Sequence, residues 1–149
     1  MQTFLPYANF VLSAKVLDSK RLGKQRLEAK QIIETLEKIE SGDIYKNGRK
    51  IGWLNHPAVL MWKGHKELLK NYYNAILSEW ISRGFKNTMI FMEGIVVEEK
   101  PDWFGEERFH SSHRSNLLRK NKEFYIQYGW LEPDNLPYYW PKQIRDKCE

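Results

Sequence analysis

Cysteine is nearly absent: Cys148, next to the last position, is the only one in 149 residues. A single thiol excludes an internal disulfide and a thiolate metal cluster, and it predicts a reducing compartment, the cytosol or a nucleus. Long hydrophobic runs are missing as well. No uncharged apolar stretch nears the roughly eighteen residues of a membrane span, so no membrane association is expected. The opening MQTFLPYANF has neither the basic start nor the apolar run of a signal peptide. There is no internal repeat and no low-complexity linker, which at this length predicts one domain over residues 1–149. A glycine-rich phosphate loop, a nucleophile elbow, zinc-finger spacing and a helix-borne zinc motif are all absent, which disfavours an NTPase, a serine hydrolase and a zinc enzyme. Nor is there the compact Asp/Glu cluster of a two-metal nuclease. A metal-free route to DNA cleavage then needs an amine nucleophile. No cofactor and no obligatory protein partner is implied.

What the chain does contain is apolar mass and unevenly spread charge. Apolar residues make up 42% and aromatic residues 14%, enough to enclose a core. The net charge is +5, with an isoelectric point near 9.2. Six basic residues (Lys15, Lys20, Arg21, Lys24, Arg26, Lys30) fall between positions 15 and 30, and Arg114, Arg119, Lys120 and Lys122 form a second cluster. Acidic residues gather elsewhere, at Glu98, Glu99, Asp102, Glu106 and Glu107. Two basic segments fit a polyanionic partner, and two solvated helix faces are the alternative.

Periodicity predicts a mainly α, all-helical bundle. Asp18 to about Glu40 reads as a helix, capped by Asp18 or Ser19 and stopped by Ser41-Gly42, with Leu22, Ala29, Ile32, Ile33, Leu36 and Ile39 on one stripe. DIYKNGRKIG (43–52) reads as a turn-rich loop. Asn55 is expected to cap a second helix that carries Leu68, Leu69, Tyr72, Tyr73, Ile76, Leu77, Trp80 and Ile81 and ends at Gly84. MIFMEGIVV (89–97) fits either a strand or buried coil. After a loop at 102–107, Ser111 or Ser112 is expected to cap a third helix running to about Lys122. The tail WLEPDNLPYYWP (130–141) is punctuated by proline and predicts irregular chain packed on the helices.

On the first long helix, Arg21, Gln25 and Glu28 are spaced i, i+4, i+7 and share a ridge at the edge of the apolar stripe. An arginine, an amide and a carboxylate there could form a half-buried polar site, or an ordinary surface ion pair. Lys20, Lys24 and Lys30 face outward and suit phosphates. In FHSSHRSNLLRK (109–120) a helix N-terminus at Ser111 or Ser112 would favour a phosphate, with Arg114 in the first turn and His110, His113 and Asn116 adding hydrogen bonds. A capped helix with His113 packed beside Leu117 is the alternative. The His-x-x-His spacing has no third ligand at motif distance, so a metal site is not expected. The six tryptophans are read first as core. Tyr138, Tyr139 and Trp140, in irregular chain, are the better candidates for stacking or wedging.

Taken together, MQTFLPYANF, VLDSKRLGKQR, NHPAVLMW, FHSSHRSNLLRK and LPYYWP resemble a group of small proteins in the pyrimidine-dimer DNA glycosylase (endonuclease V) family. The resemblance covers nearly the whole chain. It implies a compact, all-helical fold and a metal-independent excision of one damaged pyrimidine from duplex DNA, followed by strand scission at the abasic sugar. In that family the N-terminal α-amine attacks the sugar C1′ to form an imine, a glutamate on the first helix assists, and arginines grip phosphates. An α-amine suits this role because its ordinary pKa of about 8 leaves a useful unprotonated fraction at neutral pH. Extruding a nucleotide costs a few kcal/mol, supplied by basic helices and an inserted loop or ring.

Carried onto this sequence, the resemblance puts Arg26 and Glu28 nearest the family's adjacent arginine–glutamate pair. Leu27 intervenes here and turns the carboxylate by about 100°, so Arg21 becomes the better arginine partner. Gln2 is bulky and should block methionine removal, so the nucleophilic amine would be that of Met1, with Lys24 or another lysine as substitute. The implied catalytic set is Met1, Glu28, Gln25 and Arg21. The implied DNA contacts are Lys20, Lys24, Arg26, Lys30, His110, His113, Arg114, Asn116, Arg119 and Lys120. Rival readings are a non-catalytic DNA-binding protein on the same scaffold, an RNA-binding module and a metal-dependent nuclease.

Overall fold

The computed structural model describes residues 1–94 and 99–145. Its elements are α1 (Phe10–Val16), α2 (Ser19–Ser41), a hairpin of β1 (Tyr45–Lys46) and β2 (Arg49–Lys50), α3 (Pro57–Trp62), α4 (Lys66–Ser82), α5 (Glu107–Lys120), α6 (Lys122–Tyr125), a 3₁₀ turn at Ile126–Tyr128, and α7 (Lys142–Arg145). The fold is mainly α, as the helical spacing predicts.

The core lies where α2 packs on α4, with α1 also packed against α4. Leu22, Ala29, Ile32, Ile33 and Leu36 of α2 are buried, and so are Leu68, Leu69, Tyr72, Tyr73, Ile76 and Leu77 of α4. The expected stripes are therefore the observed contact faces, with Ile39 and Trp80 only partly buried and Ile81, 41% exposed, left outside. Gly23 leaves room for the Trp80 ring of α4: a Cβ there would lie 3.0 Å from it. Gly42 and Gly84 follow the two long helices with φ of 77° and 84°, the left-handed stop that a Cβ would penalise.

Several boundaries differ from expectation. Phe10–Val16 forms a helix that was not foreseen, started by the Asn9 side chain, which accepts from the Leu12 N–H at 2.9 Å. The second predicted helix is two, broken at Lys63–His65 around Gly64, whose φ is 82°. Its cap is His56 rather than Asn55; the His56 Nδ1 accepts from the Ala58 N–H at 3.0 Å. The loop at 43–52 contains a short antiparallel hairpin, because Asn47 and Gly48 both adopt positive φ, as a two-residue hairpin turn requires. Helix α5 begins at Glu107, so Ser111 and Ser112 are inside it and offer no helix N-terminus. Met89–Gly94 is coil rather than strand, and 95–97 lie outside the described residues, as do Glu98 and Cys148. The tail at 130–141 is irregular, as its prolines predict. Among the described residues no helix is long and apolar enough to cross a membrane.

Candidate active site

The site starts from the first six residues, a non-helical thread buried from Gln2 to Pro6. Chain outside helices and sheets lacks ladder partners, so its buried backbone groups need side-chain partners. Helix α2 supplies them on one side. Gln25, 1% exposed, donates from Nε2 to the Gln2 carbonyl at 2.9 Å and to Glu28 Oε2 at 2.9 Å. Its Oε1 accepts from the Phe4 N–H at 3.0 Å and from the Tyr72 hydroxyl at 2.7 Å. The Tyr72 hydroxyl also faces the Phe4 carbonyl at 2.9 Å. Burial and the Glu28 charge push the Tyr72 pKa well above its ordinary value, so the phenol remains a donor. The Glu28 carboxylate itself accepts from the Gln2 N–H at 3.4 Å, which fixes Glu28 one residue from the chain's first amine.

Helix α5 supplies the other side. The Leu5 N–H donates to His113 Nδ1 at 2.9 Å, and His110 Nδ1 contacts the Leu5 carbonyl at 2.7 Å. Because the Gly105 N–H donates to His110 Nε2 at 2.9 Å, the proton of neutral His110 sits on Nδ1 and is given to Leu5. Burial, then the charges of His110 and Arg114, lower the His113 pKa to about 3, so its ring is a neutral acceptor. Arg114 donates from Nη1 to the Pro6 carbonyl at 2.6 Å and pairs with Glu132 and Glu107. Burial alone would lower its pKa, but the two carboxylates outweigh that and hold the cation.

With the thread fixed, Met1 emerges half-buried into a cleft of about 300 Å³. Gln2, Gln25, Glu28 and Phe4 line its floor side with Met1, and Lys20, Arg21, Lys24, Lys120 and Tyr138 complete the wall. Arg21 turns toward Asp18 at 3.2 Å, whereas Lys20, Lys24 and Lys120 enter no ion pair among the described residues. The cleft thus combines a primary amine, a carboxylate and uncompensated cations. Tyr138 adds an aromatic wall; burial, opposed by Arg119 and helped by Glu28, raises its pKa to about 12 and keeps its hydroxyl protonated.

The remaining predicted residues lie elsewhere. His110, His113, Arg114 and Asn116, expected to meet DNA, are buried at 2%, 1%, 8% and 0% exposure. Their polar atoms serve the N-terminal thread and the tail; Asn116 Nδ2 donates to the Ser112 carbonyl at 2.8 Å and to the Leu136 carbonyl at 3.1 Å. Arg119 is exposed and donates to Asn116. Lys30 is exposed and faces Glu34 at 3.9 Å. Arg26 is outside the cleft: its guanidinium stacks 3.9 Å from the centre of the Trp80 ring, and Nη1 reaches Met89 Sδ at 3.6 Å. Leu27 between Arg26 and Glu28 turns the two to different faces of α2. Among the described residues no three His, Cys, Asp or Glu side chains form a metal-binding group. Sequence reasoning missed Gln2 and Phe4 as cleft residues and Tyr72 as a support, since the Tyr72 pattern only marked it as core.

A family model described as pyrimidine dimer DNA glycosylase matches residues 1–93. The chain belongs to that family. The match takes in the thread, α1, α2 and α4, hence most of the cleft, while Lys120 and Tyr138 lie beyond it. No curated protein and no solved structure matches the chain. The cations around the cleft agree with the DNA that the family's description names.

Proposed function

We propose that the chain is a DNA glycosylase with abasic-site lyase activity, acting on a damaged or modified pyrimidine in duplex DNA. The observation that carries this reading is that the Met1 end of the thread and the Glu28 carboxylate open into one basic cleft. Residues far apart in the sequence, from Met1 to Tyr138, line that cleft, which supports reading the chain as a single domain.

In the proposed reaction the unprotonated Met1 amine attacks the sugar C1′. The bond from C1′ to the base breaks, and the base leaves with the electron pair and takes the proton that the attacking amine sheds; the C1′–O4′ bond then opens, O4′ takes up the second amine proton, and C1′=N forms as an imine. Removal of a C2′ proton then expels the 3′ phosphate. Glu28 stabilises the positive charge that develops at C1′ and on the imine nitrogen, and is suited to accept a proton. Gln25 orients Glu28, while Lys20, Arg21, Lys24 and Lys120 hold phosphates. The buried neighbours His110, His113, Arg114 and Asn116 act by positioning the thread.

Borohydride reduction on UV-irradiated or abasic duplex should trap a covalent adduct through Met1. Glu28→Gln keeps an acceptor for the Gln2 N–H and should lower excision by about 100-fold or more, with little change in stability. Extending the chain by two residues before Met1 should abolish trapping without abolishing binding. If the extended protein traps as well as the original, Met1 is not the nucleophile; if neither traps, the lyase reading fails.

A further inference from the structure

Trp53 departs from the other tryptophans. It is 52% exposed, and its φ of 72° places a bulky side chain in the left-handed region. Only Asn47 shares this among the described non-glycine residues, and Asn47 belongs to the hairpin turn. A strained backbone that keeps a large apolar ring in solvent stabilises neither the core nor the turn, and such outliers gather at ligand sites. Beside it, Lys50, Ile51, Leu54, Asn55 and His56 complete a concavity of about 360 Å³, within the usual span of small-ligand sites of roughly 300–1,000 Å³.

We propose that this concavity is a second nucleic-acid site, in which an unpaired DNA base stacks on Trp53 and its phosphate meets Lys50. The chemistry matches. An indole face takes any base, the ammonium takes the phosphate, and exposed Asn55 offers donor and acceptor to a base edge. His56 Nδ1 is occupied by the Ala58 N–H, so its neutral ring presents Nε2–H, and the ring meets Trp53 edge-on at 5.3 Å. The adjoining hairpin carries exposed Lys46 and Arg49, which extend the phosphate track. Burial first, and then the charge of the Met1 ammonium, lowers the His56 pKa and favours that neutral ring. The inference rests on the DNA reading above but not on the imine chemistry.

Trp53→Gly tests it, because glycine removes the ring and relieves the backbone. Anisotropy with a labelled single-stranded oligodeoxynucleotide should show binding weakened about tenfold in Trp53→Gly and largely restored in Trp53→Phe. Binding of the fully paired duplex should change by about twofold or less, because phosphate contacts carry that term. The melting temperature of Trp53→Gly should equal or exceed that of the original. Unchanged single-strand affinity, or a fall in melting temperature showing that the ring braces the fold, overturns the proposal. So does a free mononucleotide that competes as well as the oligonucleotide. Adduct trapping with single-strand affinity unchanged in Trp53→Gly sinks this site alone, and Trp53-dependent single-strand binding without trapping sinks the Met1 chemistry alone.

Discussion

Four polar groups meet at the Gln25 carboxamide: the Gln2 carbonyl, the Phe4 N–H, the Tyr72 hydroxyl and the Glu28 carboxylate. One neutral side chain therefore both anchors the thread and aims the carboxylate. Gln25→Leu fills nearly the same space but strands buried donors and acceptors, and should cost roughly 2–4 kcal/mol in urea unfolding. Adduct formation should fall with it. Glu28→Gln is the useful contrast, since it should lose the adduct while stability stays within about 1 kcal/mol. The Arg21, Gln25 and Glu28 ridge was legible in the sequence because helical spacing is local information. The direction of Arg21 was not, because Asp18 lies one turn earlier and draws the guanidinium away from Glu28.

At the scale of elements, the two long helices were legible for the same reason: buried positions recur at helical spacing, and Gly42 and Gly84 end them. The break at Gly64 was hidden, because the apolar pattern continues across it. The start of helix α5 was misplaced by five or six residues because no serine or threonine caps it; Glu106 holds that position without a side-chain hydrogen bond. The inward turn of His110, His113 and Arg114 had no local signal either, since their partners are backbone atoms at the other end of the chain. The two histidines predict an acid-sensitive clamp. His113 is neutral in the fold, with its pKa lowered from 6.5 to about 3, so the unfolded chain takes up the proton first. Its contribution is intact above about pH 6.5 and is lost as pH falls from there toward 3, by about 1.4 kcal/mol per pH unit. His110, also lowered by burial, adds in the same direction. His113→Asn offers an amide oxygen to the Leu5 N–H and does not titrate. Melting curves between pH 7 and 4 should therefore be flatter for that variant, and a parallel pH dependence would show that the histidine is not the sensor.

At the scale of the whole molecule, the modest positive charge becomes informative only once folded. Lys20 and Lys24 of α2 and Lys120 at the end of α5 converge on one cleft, although a hundred residues separate the first from the last. Composition alone left two solvated helix faces as an equal reading. Phosphate contacts release counterions, so Lys24→Ala and Lys120→Ala should each reduce the slope of log affinity against log salt by about 1 and weaken binding evenly across sequences. A variant whose salt slope does not change contacts no phosphate.

The thread has a temporal consequence. Leu5 leaves the ribosome early, but its partner His113 follows 108 residues later, and at ordinary elongation rates of about 5–20 residues per second that is a wait of several seconds. Until then α2 and α4 hold Gln2 and Phe4, but Leu5 and Pro6 lack their α5 partners. In the proposed reaction the attacking amine is therefore fully positioned only once α5 has been made.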